Sequence, residues 1–242
     1  MEAKSKSRII SAQEFNNLPH LHDQVKFPHD PAIVAALGDV FYRHNVHDRF
    51  GLHLLHRHYV LPKNCVALKS DVDSEISLTK IESISNIDVN AHRGVLYRLD
   101  DAGRFQEYEY EQGEQIDIPG EFLEELSAVI RKFKLENVLA LDVGGGISPS
   151  ITRFEYDFGT TATVTVQLNR KPTEPGDRQT GMAFSLEDGE PHTYGPDIYA
   201  KNIKGKHTVF YNHDHPIVDE GNFKIDVSAI RGVLISNKIL TY

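Results

Sequence analysis

One cysteine, no tryptophan, and only 26 lysines and arginines against 35 aspartates and glutamates mark what this 242-residue chain lacks. Cys65 alone cannot close an intrachain disulfide, so stability must come from a packed core, which a chain of this length can build. A net charge of −9 without a basic stripe gives no broad grip on nucleic-acid phosphates or on an anionic membrane. No stretch approaches the roughly 18 consecutive apolar residues of a membrane span. The basic, polar residues 1–8 are not followed by an apolar signal-peptide region. These absences lead to the expectation of a soluble, cytoplasmic protein. With 40% hydrophobic and 25% charged residues it is neither disordered nor fibrous.

Several catalytic signatures are also missing. There is no Cys-x-x-Cys, no His-Glu-x-x-His and no Gly-x-Ser-x-Gly, so zinc fingers, helical zinc proteases and serine-elbow hydrolases have no footing. Val138–Gly146 reads as a strand running into Gly144-Gly145-Gly146, similar to the cofactor loop of methyltransferases. Ile147-Ser148-Pro149 then offers no further glycine and no helix start, which argues against a nucleotide site.

What is present is an alternation of helical and extended patterns. Asp30-Pro31 opens a helix to about His44, with Asp30 as N-cap and Pro31 at the first helical position. A second helix is expected over 119–135, where Phe122, Leu126, Val129, Ile130 and Phe133 share a face. Strands are expected at 52–61, 64–69, 76–81, 84–91, 138–143, 151–157, 161–169, 180–187, 207–212 and 231–241, with a hairpin of 95–99 and 105–110 about Asp100–Gly103. Two or three helices among many strands, without βαβ alternation, imply an α+β fold with a mainly antiparallel sheet, barrel- or sandwich-like. Residues 1–28 read as an N-terminal tail and 29–242 as a single domain. Glu107, Glu109, Glu111, Glu114, Asp117, Glu121, Glu124 and Glu125 fall in a stretch without cations, and read as a solvated face.

Histidine is abundant and unevenly placed: nine of thirteen fall in 20–92, four in 192–215, and none in the 99 residues between. In an extended segment His56 and His58 share a face, about 6.5–7 Å apart along the backbone, so their rings can converge. His213 and His215 repeat the pattern after the 207–212 strand. If the two stretches meet, four imidazoles can hold a divalent metal, zinc foremost, with iron, nickel and copper also compatible. The same residues can instead exchange protons without a metal, with Arg57 or Arg93 holding a developing anion, or serve structure alone.

Gly51-x4-His56-x-His58 resembles the first motif of cupin barrels, and Gly205-x-His207-x4-Asn212 resembles the second. The expected carboxylate is missing from Tyr59–Val66, which argues against that family. Phe50–Leu61 also resembles a segment of uncharacterised fungal proteins carrying Leu-Leu-His-Arg-His, a likeness that implies no activity, cofactor or site. The expected function is therefore a histidine-cluster enzyme, with lyase, isomerase or hydrolase chemistry on a small polar organic substrate. The alternative is a non-catalytic binding or assembly module whose histidines are structural.

Overall fold

The computed structural model describes residues 9–88, 90–146, 148–158, 161–169, 177–200, 208–209, 218–219, 224–225, 227–236 and 238–240. His213 and His215 lie outside the described residues, as does most of the strand expected over 207–212.

The first elements follow their local chemistry. In α1 (Ala12–Asn16) the Ser11 hydroxyl accepts from Glu14 N while the Glu14 carboxylate accepts from Ser11 N, a reciprocal cap. In α2 (Pro31–Arg43) the Asp30 carboxylate accepts from Ala32 N at 2.8 Å. The strands β1 (Gly51–Leu54), β2 (Cys65–Asp71), β3 (Ile76–Ser83), β4 (His92–Leu99) and β5 (Phe105–Gln112) come next. The helix α3 (Gly120–Lys132) buries Phe122, Leu126 and Ile130 at four-residue spacing.

After α3 come β6 (Leu139–Asp142), β7 (Ile151–Phe158), β8 (Ala162–Asn169), β9 (Arg178–Gln179), β10 (Gly181–Glu187), β11 (Glu190–Tyr194) and β12 (Asp197–Tyr199). The short β13 (Thr208–Val209), β14 (Val218–Asp219) and β15 (Lys224–Ile225) precede α4 (Ile230–Ser236).

The class is α+β. Twelve strands form one path, β11-β10-β1-β6-β4-β5-β2-β3-β8-β7-β12-β9, with β13 attached to β7 and β14–β15 apart. The sheet is mixed: β2–β5, β7–β12 and β7–β13 pair in parallel and the other strand pairs are antiparallel. The path is not closed, so the barrel or sandwich expected from sequence is not established by the topology.

The sheet is nevertheless strongly curled. Arg153 on β7 lies 2.7 Å from Asp142 on β6, although six strand steps separate β6 from β7, a span of about 29 Å in a flat sheet. The two ends of the path also approach each other through one residue. Thr180, between β9 and β10, donates its N–H to Asp197 O on β12 and accepts from Leu54 N on β1.

Two apolar clusters line this sheet. The larger joins α2, α3, β1 and β4–β6, and the smaller joins Ile76, Leu78, Phe154, Tyr156, Phe158 and Ile198 to α4. Residues 9–27 belong to the larger one: Ile10, Phe15, Leu18, Leu21 and Phe27 are all buried. That corrects the expected tail, whose apolar residues are too widely spaced for a periodic pattern yet each finds the core.

Three strand assignments also change. Residues 230–236 form α4, where Ile230, Val233 and Leu234 make a helical stripe. Ile84–Asn86 is a 3₁₀ turn capped by Ser83. The strand expected over 52–61 ends at Leu54.

Candidate metal centre

The end of β1 creates the site. Leu54 N donates to Thr180 O and Leu55 N to Val138 O, and the chain then leaves the ladder. Two backbone bonds, Arg57 N to Pro19 O and Leu21 N to Arg57 O, dock the 55–58 stretch against the N-terminal segment. Arg57 spends its guanidinium on this docking, with Nε 3.1 Å from Leu18 O and Nη1 3.4 Å from Tyr59 O. Among the described residues its guanidinium makes no hydrogen bond to His56 or His58.

His56 and His58 turn the other way and converge, their Nε2 atoms 2.8 Å apart. Alternation on an uninterrupted strand would have put His53 on the opposite face. Because the strand stops, His53 instead stacks on His56 with centroids 5.1 Å apart.

Opposite them stands β7. Its buried face carries Thr152, Phe154, Tyr156 and Phe158, and its other face carries Arg153, Glu155 and Asp157. Glu155 Oε2 lies 3.2 Å from His58 Nε2 and 3.9 Å from His56 Nε2. His56, His58 and Glu155 are the metal-competent group of three found among the described residues, with ligand atoms within 4.8 Å of one another.

The outer nitrogens are already committed. His56 Nδ1 sits 2.6 Å from Leu54 O, and His58 Nδ1 sits 2.9 Å from Asp157 Oδ1. Both acceptors place a proton on Nδ1, which turns the Nε2 lone pairs toward the shared point when both rings are neutral. Asp157 is held in turn by the Tyr199 hydroxyl, which donates to Oδ2 at 2.5 Å. Glu155 Oε2 is buried and makes no aligned hydrogen bond among the described residues.

The electrostatics are those of a buried, mutually coupled cluster. Burial opposes charge on His58, but Glu155 and Asp157 outweigh it and push the imidazole up to about 10. Burial, with His58 and His53 beside it, holds His56 well below the ordinary histidine value. Burial would raise Glu155, yet His58, His56 and His53 draw it far below the usual carboxylate range. In this state the charged form is favoured on His58 and disfavoured on His56.

A cavity of about 70 Å³ opens to solvent beside His56 and Glu155. Residues from both ends of the strand path and from the strands between them line it, among them His53, Lys69, Thr79, Glu109, Asp142 and Arg153. Arg153 is held by Asp142 and by both oxygens of Asp197, and donates to Gly144 O at 3.0 Å. Burial raises Glu109, and the nearby Glu155 adds to it, bringing the carboxyl to about 7.

The glycine run and the acidic run find structural uses. A Cβ at Gly145 would meet Gly51 Cα at 2.7 Å, and one at Gly146 would meet Asp48 C at 2.3 Å, so the loop is glycine-rich because backbones cross there. The acidic stretch is not one solvated face. On β5 Glu107 is buried beside Tyr97, Glu109 lines the cavity and Glu111 pairs with Arg93 and Lys69.

Sequence reasoning found His56 and His58 but missed Glu155, Asp157 and Tyr199. The available signal was Arg-x-Glu-x-Asp interleaved with Phe-x-Tyr-x-Phe over 153–158, charges on one face of a strand whose other face is aromatic. No protein-family model, no curated protein and no solved structure matches the chain.

Proposed function

We propose that this protein is a metal-dependent enzyme that acts on a small polar organic molecule, with a divalent ion held by His56 Nε2, His58 Nε2 and Glu155 Oε2. One observation carries the reading. Three donors converge with edges of 2.8, 3.2 and 3.9 Å, bracketing the ~3.3 Å edge of a tetrahedron with bonds of ~2.0–2.1 Å. Two features support it: the outward Nδ1 bonds to Leu54 O and Asp157, and the buried Glu155 oxygen without an aligned donor among the described residues. Two imidazoles and one carboxylate suit catalytic zinc, or ferrous iron when several positions stay open. Such an ion would supply Lewis-acid polarisation to lyase, isomerase or hydrolase chemistry. No helix among the described residues is long and apolar enough to cross a membrane, and the proposed setting is the cytoplasm.

Metal content decides the matter. Protein purified without a histidine tag should hold about one equivalent of zinc or iron, and folded His56→Ala and Glu155→Ala variants should lose it. A His213→Ala or His215→Ala variant that also loses the ion would add those residues to the ligand set. Wild type that takes up no divalent ion, with variants that change only stability, overturns the reading.

The 2.8 Å approach of the two Nε2 atoms favours one second reading, a metal-free acid and base pair sharing a proton. Histidine NMR of metal-free protein would then show two coupled imidazoles whose titration follows added substrate and not added zinc.

A further inference from the structure

The cavity carboxylates are not equivalent. Asp142 and Asp197 are spent on Arg153, Glu155 faces His56 and His58, and Asp157 outside the cavity holds His58 and Tyr199. Glu109, projecting from β5, makes no side-chain hydrogen bond and no ion pair among the described residues, although it shares the cavity with Glu155, Lys69 and His53. A partly buried carboxyl that makes no hydrogen bond among the described residues and faces a polar cavity is placed to act on whatever enters.

The occupant's chemistry follows from the wall. Glu109, Asp142, Glu155 and Asp197 face it against Lys69 and Arg153, and Arg153 is already neutralised by two carboxylates. Phosphorylated or polycarboxylate compounds are repelled by such a wall. A neutral molecule with hydroxyl groups suits it, since Thr79, Thr165 and Lys69 supply polar contacts to hydroxyls. None of the described residues lining the cavity is a cysteine or a serine, and its carboxylates favour proton transfer as the work of the site.

We propose that Glu109 takes and returns a proton on a neutral hydroxylated carbonyl compound bound in this cavity, a proposal that rests on the metal reading above. The C–H bond beside the carbonyl breaks, its proton passes to a Glu109 oxygen, and its electron pair forms the C=C bond as the carbonyl π pair moves onto oxygen. An ion held by His56, His58 and Glu155 would stabilise that oxygen by its charge. Return of the proton from Glu109 to the same carbon restores the carbonyl compound; its delivery to the former carbonyl carbon, with the neighbouring hydroxyl proton passing to the enolate oxygen, yields the isomer, and neither route requires an oxidant or reductant.

The probe is hydroxyacetone in D₂O with zinc-loaded, untagged full-length protein, read by the loss of its C–H proton signals in NMR. Wild type should catalyse exchange, and Glu109→Gln should lower the rate by about 10²–10⁴-fold while keeping its zinc. Glu109→Asp, which retains a carboxylate, should keep more exchange than Glu109→Gln and covers the case in which the glutamine variant folds poorly. Zinc-loaded wild type without exchange, or a zinc-loaded glutamine variant that exchanges at the wild-type rate, overturns the role of Glu109 and leaves the metal reading standing. Wild type that takes up no zinc overturns both.

Discussion

His58 is gripped from two directions, by Asp157 at Nδ1 and by Glu155 at Nε2, and the two grips have different consequences. The Asp157 bond fixes the ring and its tautomer, which is how an outer partner tunes a metal ligand. Asp157→Asn should therefore weaken zinc binding by about 10–100-fold, measured by competition with a chromophoric chelator. Tyr199→Phe, which removes only the donor to Asp157, should cost less. The pH dependence has a definite sign. In metal-free protein the His58 value is raised from 6.5 to about 10, so its contribution to stability is complete below 6.5 and is lost as pH climbs through 10. His56 is depressed and works oppositely, withdrawing stability as pH falls below 6.5. Zinc competes with the His58 proton, so zinc affinity should rise with pH across the 6.5–10 window. The thermal midpoint of metal-free wild type should fall across the same window more steeply than that of Asp157→Asn. Parallel profiles for the two proteins would contradict this assignment of the proton.

At the scale of elements, β7 does two jobs because its faces differ, and the two should separate on mutation. Phe154, Tyr156 and Phe158 seat the strand against α4 through Leu234, which is fully buried. Leu234→Ala should cost about 2–5 kcal/mol in chemical denaturation, while the folded fraction keeps its zinc affinity, since no ligand lies on that face. Legibility in sequence divides along the same lines. Both long helices, the β4–β5 hairpin and most strands could be read, because capping by Asp30, the stripe of α3 and the Asp100–Gly103 turn are local signals. The α4 segment could not, because seven residues rich in Ile, Val and Leu fit a short strand as well as two helical turns. Half of the candidate site was readable for the same reason: His56 and His58 are neighbours in sequence. Glu155 becomes their partner only when the sheet curls, and no local pattern encodes which of the strands will face β1 across the cavity.

For the molecule as a whole, the site spans the seam of the curled sheet. His56 and His58 follow β1 and Glu155 sits on β7, and the join between β9 and β10 at Thr180 lies beside them. The seam is tight: a Cβ at Gly181 would lie 2.7 Å from Asp197 Cγ, displacing the carboxylate that holds Arg153. Gly181→Ala should destabilise the protein by about 1–3 kcal/mol and weaken zinc binding without touching a ligand. An ion bound across the seam ties together segments about a hundred residues apart in the chain, so it should stabilise the fold globally. At free zinc 100-fold above Kd, linkage gives about 2.7 kcal/mol. For a domain of this size each kcal/mol raises the midpoint by about 2–4 °C, so differential scanning calorimetry should show a rise of about 5–10 °C. Glu155→Ala should abolish the rise, and an increase of equal size in that variant would place the stabilising ion somewhere other than His56, His58 and Glu155.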